Sequence, residues 1–134
     1  MQKILLMVAL CLLTAVHSAS ASDYDNNPDY YFVMNVQGYK TYLDLTSVYV
    51  QEYNPPHYQI AARLVTVGYR QNSEEQEHYI EIKYNWYTKE AYERYQDGNW
   101  RKMAQGPASS TPVAVDKVTA NALFIAAYGM KFYE

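Results

Sequence analysis

Thiol chemistry is almost absent from this chain of 134 residues, whose one cysteine, Cys11, lies in an apolar N-terminal stretch. A lone cysteine excludes an internal disulfide framework and a thiolate zinc site. Charge is sparse as well. Charged residues make up 19% of the sequence and the formal net charge is −3, which excludes the basic stripe of a nucleic-acid groove and the polybasic cluster drawn to anionic lipid. Beyond His17 there are two histidines, His57 and His78. The chain has no internal repeat, no low-complexity tract, no glycine-rich phosphate loop, no Gly-x-Ser-x-Gly elbow and no His-Glu-x-x-His motif.

Long apolar runs are missing too, since a bilayer-spanning helix needs about 20 residues. The longest run, Ile4 to Val16, follows Lys3 and leads into Ala19-Ser20-Ala21, the small-residue pattern that signal peptidase recognises. Residues 1–21 are therefore expected to be an export signal, with Ala19 and Ala21 marking the cleavage site and no integral membrane segment left after cleavage. The alternative, Cys11 as a lipid-bearing first residue, would place Leu10 where a small residue belongs and halve the apolar run. Removing Lys3 leaves 10 basic against 14 acidic residues, a net −4. What remains is the size of one small domain, held together by its core alone.

That core has an aromatic supply. All 16 tyrosines fall between Tyr24 and Tyr133. Tyrosine buries a large ring while its hydroxyl reaches water or a partner, so it suits a half-buried sheet and a recognition face alike.

Residues 22–29 are polar and acidic and end at Pro28–Asp29, a flexible leader, and residues 30–134 form a single domain. Tyr30–Val36 reads as a strand ending at Gln37-Gly38, and Tyr39–Leu45 completes a hairpin. Asp44 and Ser47 bracket a turn whose carboxylate accepts N–H groups two or three residues on. A short extended piece then runs to Tyr53, and Asn54-Pro55-Pro56 stops it. Tyr58–Tyr69 and Tyr79–Trp86 are further strands, the latter alternating Ile80, Ile82, Tyr84 and Trp86 with Glu81, Lys83 and Asn85. Residues 89–95 fit a short helix or an edge strand, and Trp100–Met103 a last short strand after Asp97-Gly98. Thr111-Pro112 begins a helix of about four turns, with an apolar stripe of Val115, Val118, Ala122, Ile125 and Gly129, widened by Leu123 and Ala126. The fold class is α+β: an antiparallel sheet of about five to six strands with a C-terminal helix packed on one face.

Three stretches resemble a known family: Tyr42-Leu43-Asp44-Leu45-Thr46-Ser47-Val48; Tyr79–Tyr84 followed by Asp97-Gly98-Asn99-Trp100; and the alanine-rich closing helix into Ala127-Tyr128-Gly129. With an export segment, these are similar to the surface-adhesin protein E type of small bacterial extracytoplasmic domain. The resemblance implies an antiparallel sheet packed on C-terminal helical structure, Asp44 and Ser47 at a turn after the second strand, and Trp100 in the sheet core. Host binding belongs to particular members of that family.

No catalytic signature is present. Asp44 has a turn role, Glu81 sits on the wet face of its strand, and a serine triad has no evident base. Glu74-Glu75-Gln76-Glu77-His78 places at most two ligands on one face, short of the four that structural zinc uses, so neither metal nor cofactor is expected. The best recognition segment is Tyr53-Asn54-Pro55-Pro56-His57-Tyr58, where two prolines stiffen a loop carrying Tyr53, His57 and Tyr58. The competing view is a rigid turn whose rings fold back onto the sheet. The expected function is an exported, non-catalytic binding domain, periplasmic, secreted or at the cell surface, with a protein, matrix or glycan partner and no nucleic acid. Alternatives are an accessory envelope protein that contacts another bacterial protein through a free sheet edge, and a small hydrolase.

Overall fold

The cleanest alternation in the sequence is also the clearest in space: Ile80, Ile82 and Tyr84 are buried on one side of their strand, while Glu81 and Lys83 face the other way. The computed structural model describes residues 20–70, 74–104 and 110–134. The expected export signal as far as Ala19, including Cys11, lies outside the described residues, as does most of the 106–111 loop.

Eight elements follow in chain order: α1 (Ala21–Asp25), β1 (Tyr30–Val36), β2 (Tyr39–Asn54), β3 (His57–Gly68), β4 (Glu75–Asn85), β5 (Glu90–Arg94), β6 (Trp100–Lys102) and α2 (Thr111–Tyr128). The strands form one antiparallel sheet in the order β1-β2-β3-β4-β5-β6. With α2 packed against it, the class is α+β. The β1–β2 hairpin turns at Gln37 and Gly38, both at positive φ (52° and 82°), which matches the twist of the flanking strands. Residues 90–94, which the sequence left open between helix and strand, pair with β4 and β6.

β2 is longer than its sequence suggests. Residues 46–53 continue the same strand, because the Asp44–Ser47 turn is a bulge: Asp44 pairs with Arg63 and Tyr49 with Ala61, so residues 45–48 stand opposite Ala62 alone. The carboxylate of Asp44 accepts the Thr46 N–H at 2.9 Å and the Thr46 hydroxyl at 2.6 Å. The Ser47 hydroxyl donates to the Asp44 carbonyl at 2.7 Å and accepts the Arg63 N–H at 2.8 Å, filling a gap in the ladder. Local side-chain bonds thus satisfy the backbone that the extra residues leave unpaired.

The main core lies between the sheet and α2. Leu43, Ile60, Ala62, Leu64, Ile80, Ile82, Tyr84 and Ala91 meet Ala120, Leu123 and Phe124. Phe124 is the hub, with its ring 5.0 Å from that of Tyr84, 5.4 Å from Tyr58 and 5.5 Å from Trp86. The helix stripe differs from the one read off the sequence. Thr119, Ala120, Leu123 and Phe124 are buried along with Ala122, whereas Val118 is 39% exposed and Gly129 is the C-cap, at φ 72°. The reason is size: Phe124 fits among the sheet aromatics, and small Ala120 lets the helix backbone approach Tyr84, whose hydroxyl donates to the Ala120 carbonyl at 2.8 Å. The N-cap is Ser110, one residue before the Thr111 expected from sequence.

After Gly129 the chain folds back. Asn121 holds it: its Oδ1 accepts the N–H groups of Phe132 and Tyr133 at 3.0 and 2.7 Å, and its amide donates to the Tyr133 carbonyl at 3.1 Å. Phe132 is buried as a result, against Tyr84 at 4.8 Å.

On the opposite face α1 covers one end. Residues 22–29, expected as a flexible leader, are here α1 and its exit turn. Tyr24 explains the difference, since its ring stacks on Tyr42 at 5.2 Å and meets Tyr30 edge-on at 4.7 Å. The Tyr42 hydroxyl shares its hydrogen between Asp25 Oδ1 at 2.6 Å and the Ala21 carbonyl at 3.0 Å. Val65 and Val67 are fully buried on this side of β3. No helix among the described residues is long and apolar enough to cross a membrane.

Candidate functional site

Beyond α1, the sheet face opposite α2 is open. Strand alternation puts Tyr49 of β2, Ala61 of β3, Tyr79, Glu81 and Lys83 of β4, and Arg94 of β5 on this side. Tyr79 is 79% exposed and Tyr49 65%. Single exposed rings are ordinary, but several on one sheet face form a contact surface.

Ala61 shapes the middle of the face. It stands between Tyr49 and Glu81 in the cross-strand row, and its short side chain leaves a floor over which longer neighbours reach. Gln51 crosses it: its amide donates to Glu81 Oε1 at 2.7 Å, while its own carbonyl oxygen accepts the Gln59 amide at 2.6 Å. Arg94 donates to Glu81 Oε2 at 3.2 Å from the other side. A polar ladder therefore runs Gln59–Gln51–Glu81–Arg94 across β2 to β5. It bounds a shallow depression of about 460 Å³, lined also by Tyr79, Tyr95, Gln96 and Gly98. Glu81 is the one carboxylate among the described lining residues. Gly98, at φ 82°, makes the tight turn that carries Tyr95 and Gln96 to the rim.

Electrostatics brace this face. Lys83 lies 4.0 Å from the centre of the Trp100 ring on the open face. Arg101, which alternation turns to the other side opposite Glu93, stands 4.2 Å from the centre of the Tyr95 ring at the sheet edge and is bonded to Asp97 at 3.2 Å. Trp100 is half-buried on the open face, paired with Arg94, rather than in the sheet core that the family resemblance implies. Nearer α1, Asp44 is buried and bonded to Arg63 through Nε at 3.1 Å and through Nη2. Burial pushes its carboxyl up, but the bonds from Thr46 and Arg63 more than offset that and hold it below the usual carboxylate range. Arg63 reaches on to Glu77 at 3.2 Å.

The residues singled out in the 53–58 loop do not converge. Tyr53 and Tyr58 lie on the α2 side of the sheet, edge to face at 5.7 Å and 6.0 and 5.3 Å from the ring of Tyr128. His57 alternates to the opposite face, paired with Asn85. Tyr53 stays 68% exposed and Tyr58 is half-buried. Ala19 lies outside the described residues, and Ala21 begins α1. Among the described residues no three His, Cys, Asp or Glu side chains gather where they could hold a metal ion, His78 and its acidic neighbours included. Sequence reasoning missed the ladder because its members are scattered over 44 positions and meet only through strand pairing. The sole local signal was Ala61, set between the longer Gln59 and Arg63 on one face of a strand. No family model, curated protein or solved structure matches the chain.

Proposed function

We propose that this chain is an exported, non-catalytic binding domain of the bacterial envelope, and that it contacts its partner through the open face of the sheet. The observation that carries the reading is the exposed rings of Tyr49 and Tyr79 on this face, with Tyr79 and Tyr95 lining a depression whose Gln51, Glu81 and Arg94 side chains are already paired with one another. Rings held by a sheet lose little freedom on binding, so their burial converts efficiently into affinity. Glu81 and Arg94 neutralise each other, an arrangement suited to holding a surface rather than to moving protons. Export follows from the N-terminal segment, and an adhesin-like task is the form of this reading that the resemblance to surface-adhesin protein E domains implies.

The test is capture from matrix-protein and glycan arrays with the tagged full chain, after cell fractionation has located it. The triple variant Y49A/Y79A/Y95A is expected to lose capture with its melting temperature unchanged, and Y53A/H57A/Y58A to retain it. Capture lost with the loop variant and kept with the open-face variant would overturn the proposal.

A second reading, an accessory envelope protein that pairs with another bacterial protein, is favoured by β1. This edge strand, Tyr-Tyr-Phe-Val-Met-Asn-Val, has neither charge nor proline to blunt its free edge, only an irregularity at Val33, and Tyr31 and Phe32 are exposed along it. Loss of cross-linking to a bacterial protein in Phe32→Lys, with array capture absent, would select this reading.

A further inference from the structure

We infer that the depression between Tyr79 and Tyr95 is a subsite for a neutral oligosaccharide. The inference rests on the open-face reading above and names the ligand class. A pyranose ring presents C–H groups on its flat face and hydroxyls around its rim. It therefore needs an aromatic surface beside planar polar groups that donate and accept side by side. This part of the sheet offers both within one depression of about 460 Å³, inside the range of roughly 300–1,000 Å³ for small-ligand sites.

The charge balance selects a neutral ligand. Glu81 already accepts from Gln51 and Arg94, and Gln51 from Gln59, so the floor presents one negative and one positive group in contact and two neutral amides. An anionic ligand would meet the Glu81 carboxylate, and a cationic one the Arg94 guanidinium. A hydroxyl pair meets spare capacity of both signs. Gln51 keeps one amide hydrogen, Arg94 keeps several, and each Glu81 oxygen keeps a lone pair. The ladder is also held in place before anything binds, which lowers the ordering cost.

The rings are similarly prepared. The Arg101 guanidinium stands 4.2 Å from the Tyr95 ring centre and holds that ring at the rim of the depression. Lys83 covers Trp100, so Trp100 supports the face without serving as its platform. Tyr79, 79% exposed, is the platform. A protein hot spot would ask for a deep apolar pocket in place of this polar floor. Ala61 is the gate to the floor, since any larger side chain there would fill the depression between Tyr49 and Glu81.

The test is titration calorimetry of the full chain with neutral hexasaccharides (gluco-, galacto- and N-acetylglucosamine-based) and with sulfated and sialylated chains, repeated in Y79A, A61F and Q51A. We expect at least one neutral chain to bind, roughly tenfold weaker in Y79A, the loss of about one stacked ring. A61F should abolish binding, and Y79A, an exposed truncation, should leave the melting temperature unchanged. Three results would overturn the inference: no neutral chain binding, binding by charged chains only, or affinity indifferent to both Y79A and A61F. If the open-face triple variant loses a protein partner while no saccharide binds, the binding-face reading stands and the saccharide inference falls.

Discussion

Replacing Arg63 by methionine, which keeps the apolar stem and deletes the guanidinium, should destabilise the domain by about 3 kcal/mol near neutral pH. Asp44 is 1% exposed and takes four bonds, two from Thr46 and two from Arg63. The variant keeps the Thr46 pair but strands a buried carboxylate without its counter-charge, a change that costs about 3–5 kcal/mol. Arg63 is itself 30% exposed, so water enters and the low end applies. Its bond to the exposed Glu77 adds little. At about 4 °C per kcal/mol for a domain of this size, the melting temperature should fall by roughly 12 °C. The pH dependence is more diagnostic. Asp44 titrates below its ordinary value when folded, so its stabilisation is present above the unfolded-state pKa and is lost as pH falls through the folded one. Without Arg63 only Thr46 opposes burial, the folded pKa rises, and acid relieves the variant by protonating Asp44. Urea unfolding of both proteins should therefore give a gap that narrows between about pH 7 and about pH 3. A gap below about 1 kcal/mol at neutral pH, or one that does not change with pH, would refute the counter-ion role of Arg63.

Two further outcomes concern the α2 side. Asn121→Ala should cost about 2–3 kcal/mol, because it frees three hydrogen-bonding groups of the returning C-terminal segment; hydrogen exchange should show the amides of Phe132 and Tyr133 losing protection before those of β3 and β4. Tyr84→Phe removes only the hydroxyl that bonds the Ala120 carbonyl, so urea unfolding should show a loss of about 1 kcal/mol with the same m-value.

The loop from Tyr53 to Tyr58 shows where local reading ends. Its composition suggested a recognition segment, yet alternation across the hairpin sends His57 to one face, while Tyr53 and Tyr58 gather beside Tyr128 on the other. The Asp44–Ser47 motif was legible as a carboxylate folding onto the backbone two residues ahead. Its half-buried partner Arg63, 19 positions on, was not, because nothing local distinguishes a paired arginine from a solvated one.

By itself the sequence determined where most of the strands run, the α+β class, the acidic balance and the abundance of rings. These follow from short-range rules, since a strand with one buried side must alternate with period two wherever it sits. Which ring faces which neighbour was decided by tertiary structure. The bulges in β2 reset its register against β3, and a one-residue slip moves every side chain to the other face. Gln51 reaches Glu81 over Ala61 because of that reset. The α2 stripe shifted for a related reason: Phe124 and Ala120 were selected by the shape of the sheet beneath them, and that shape exists only once the strands have paired.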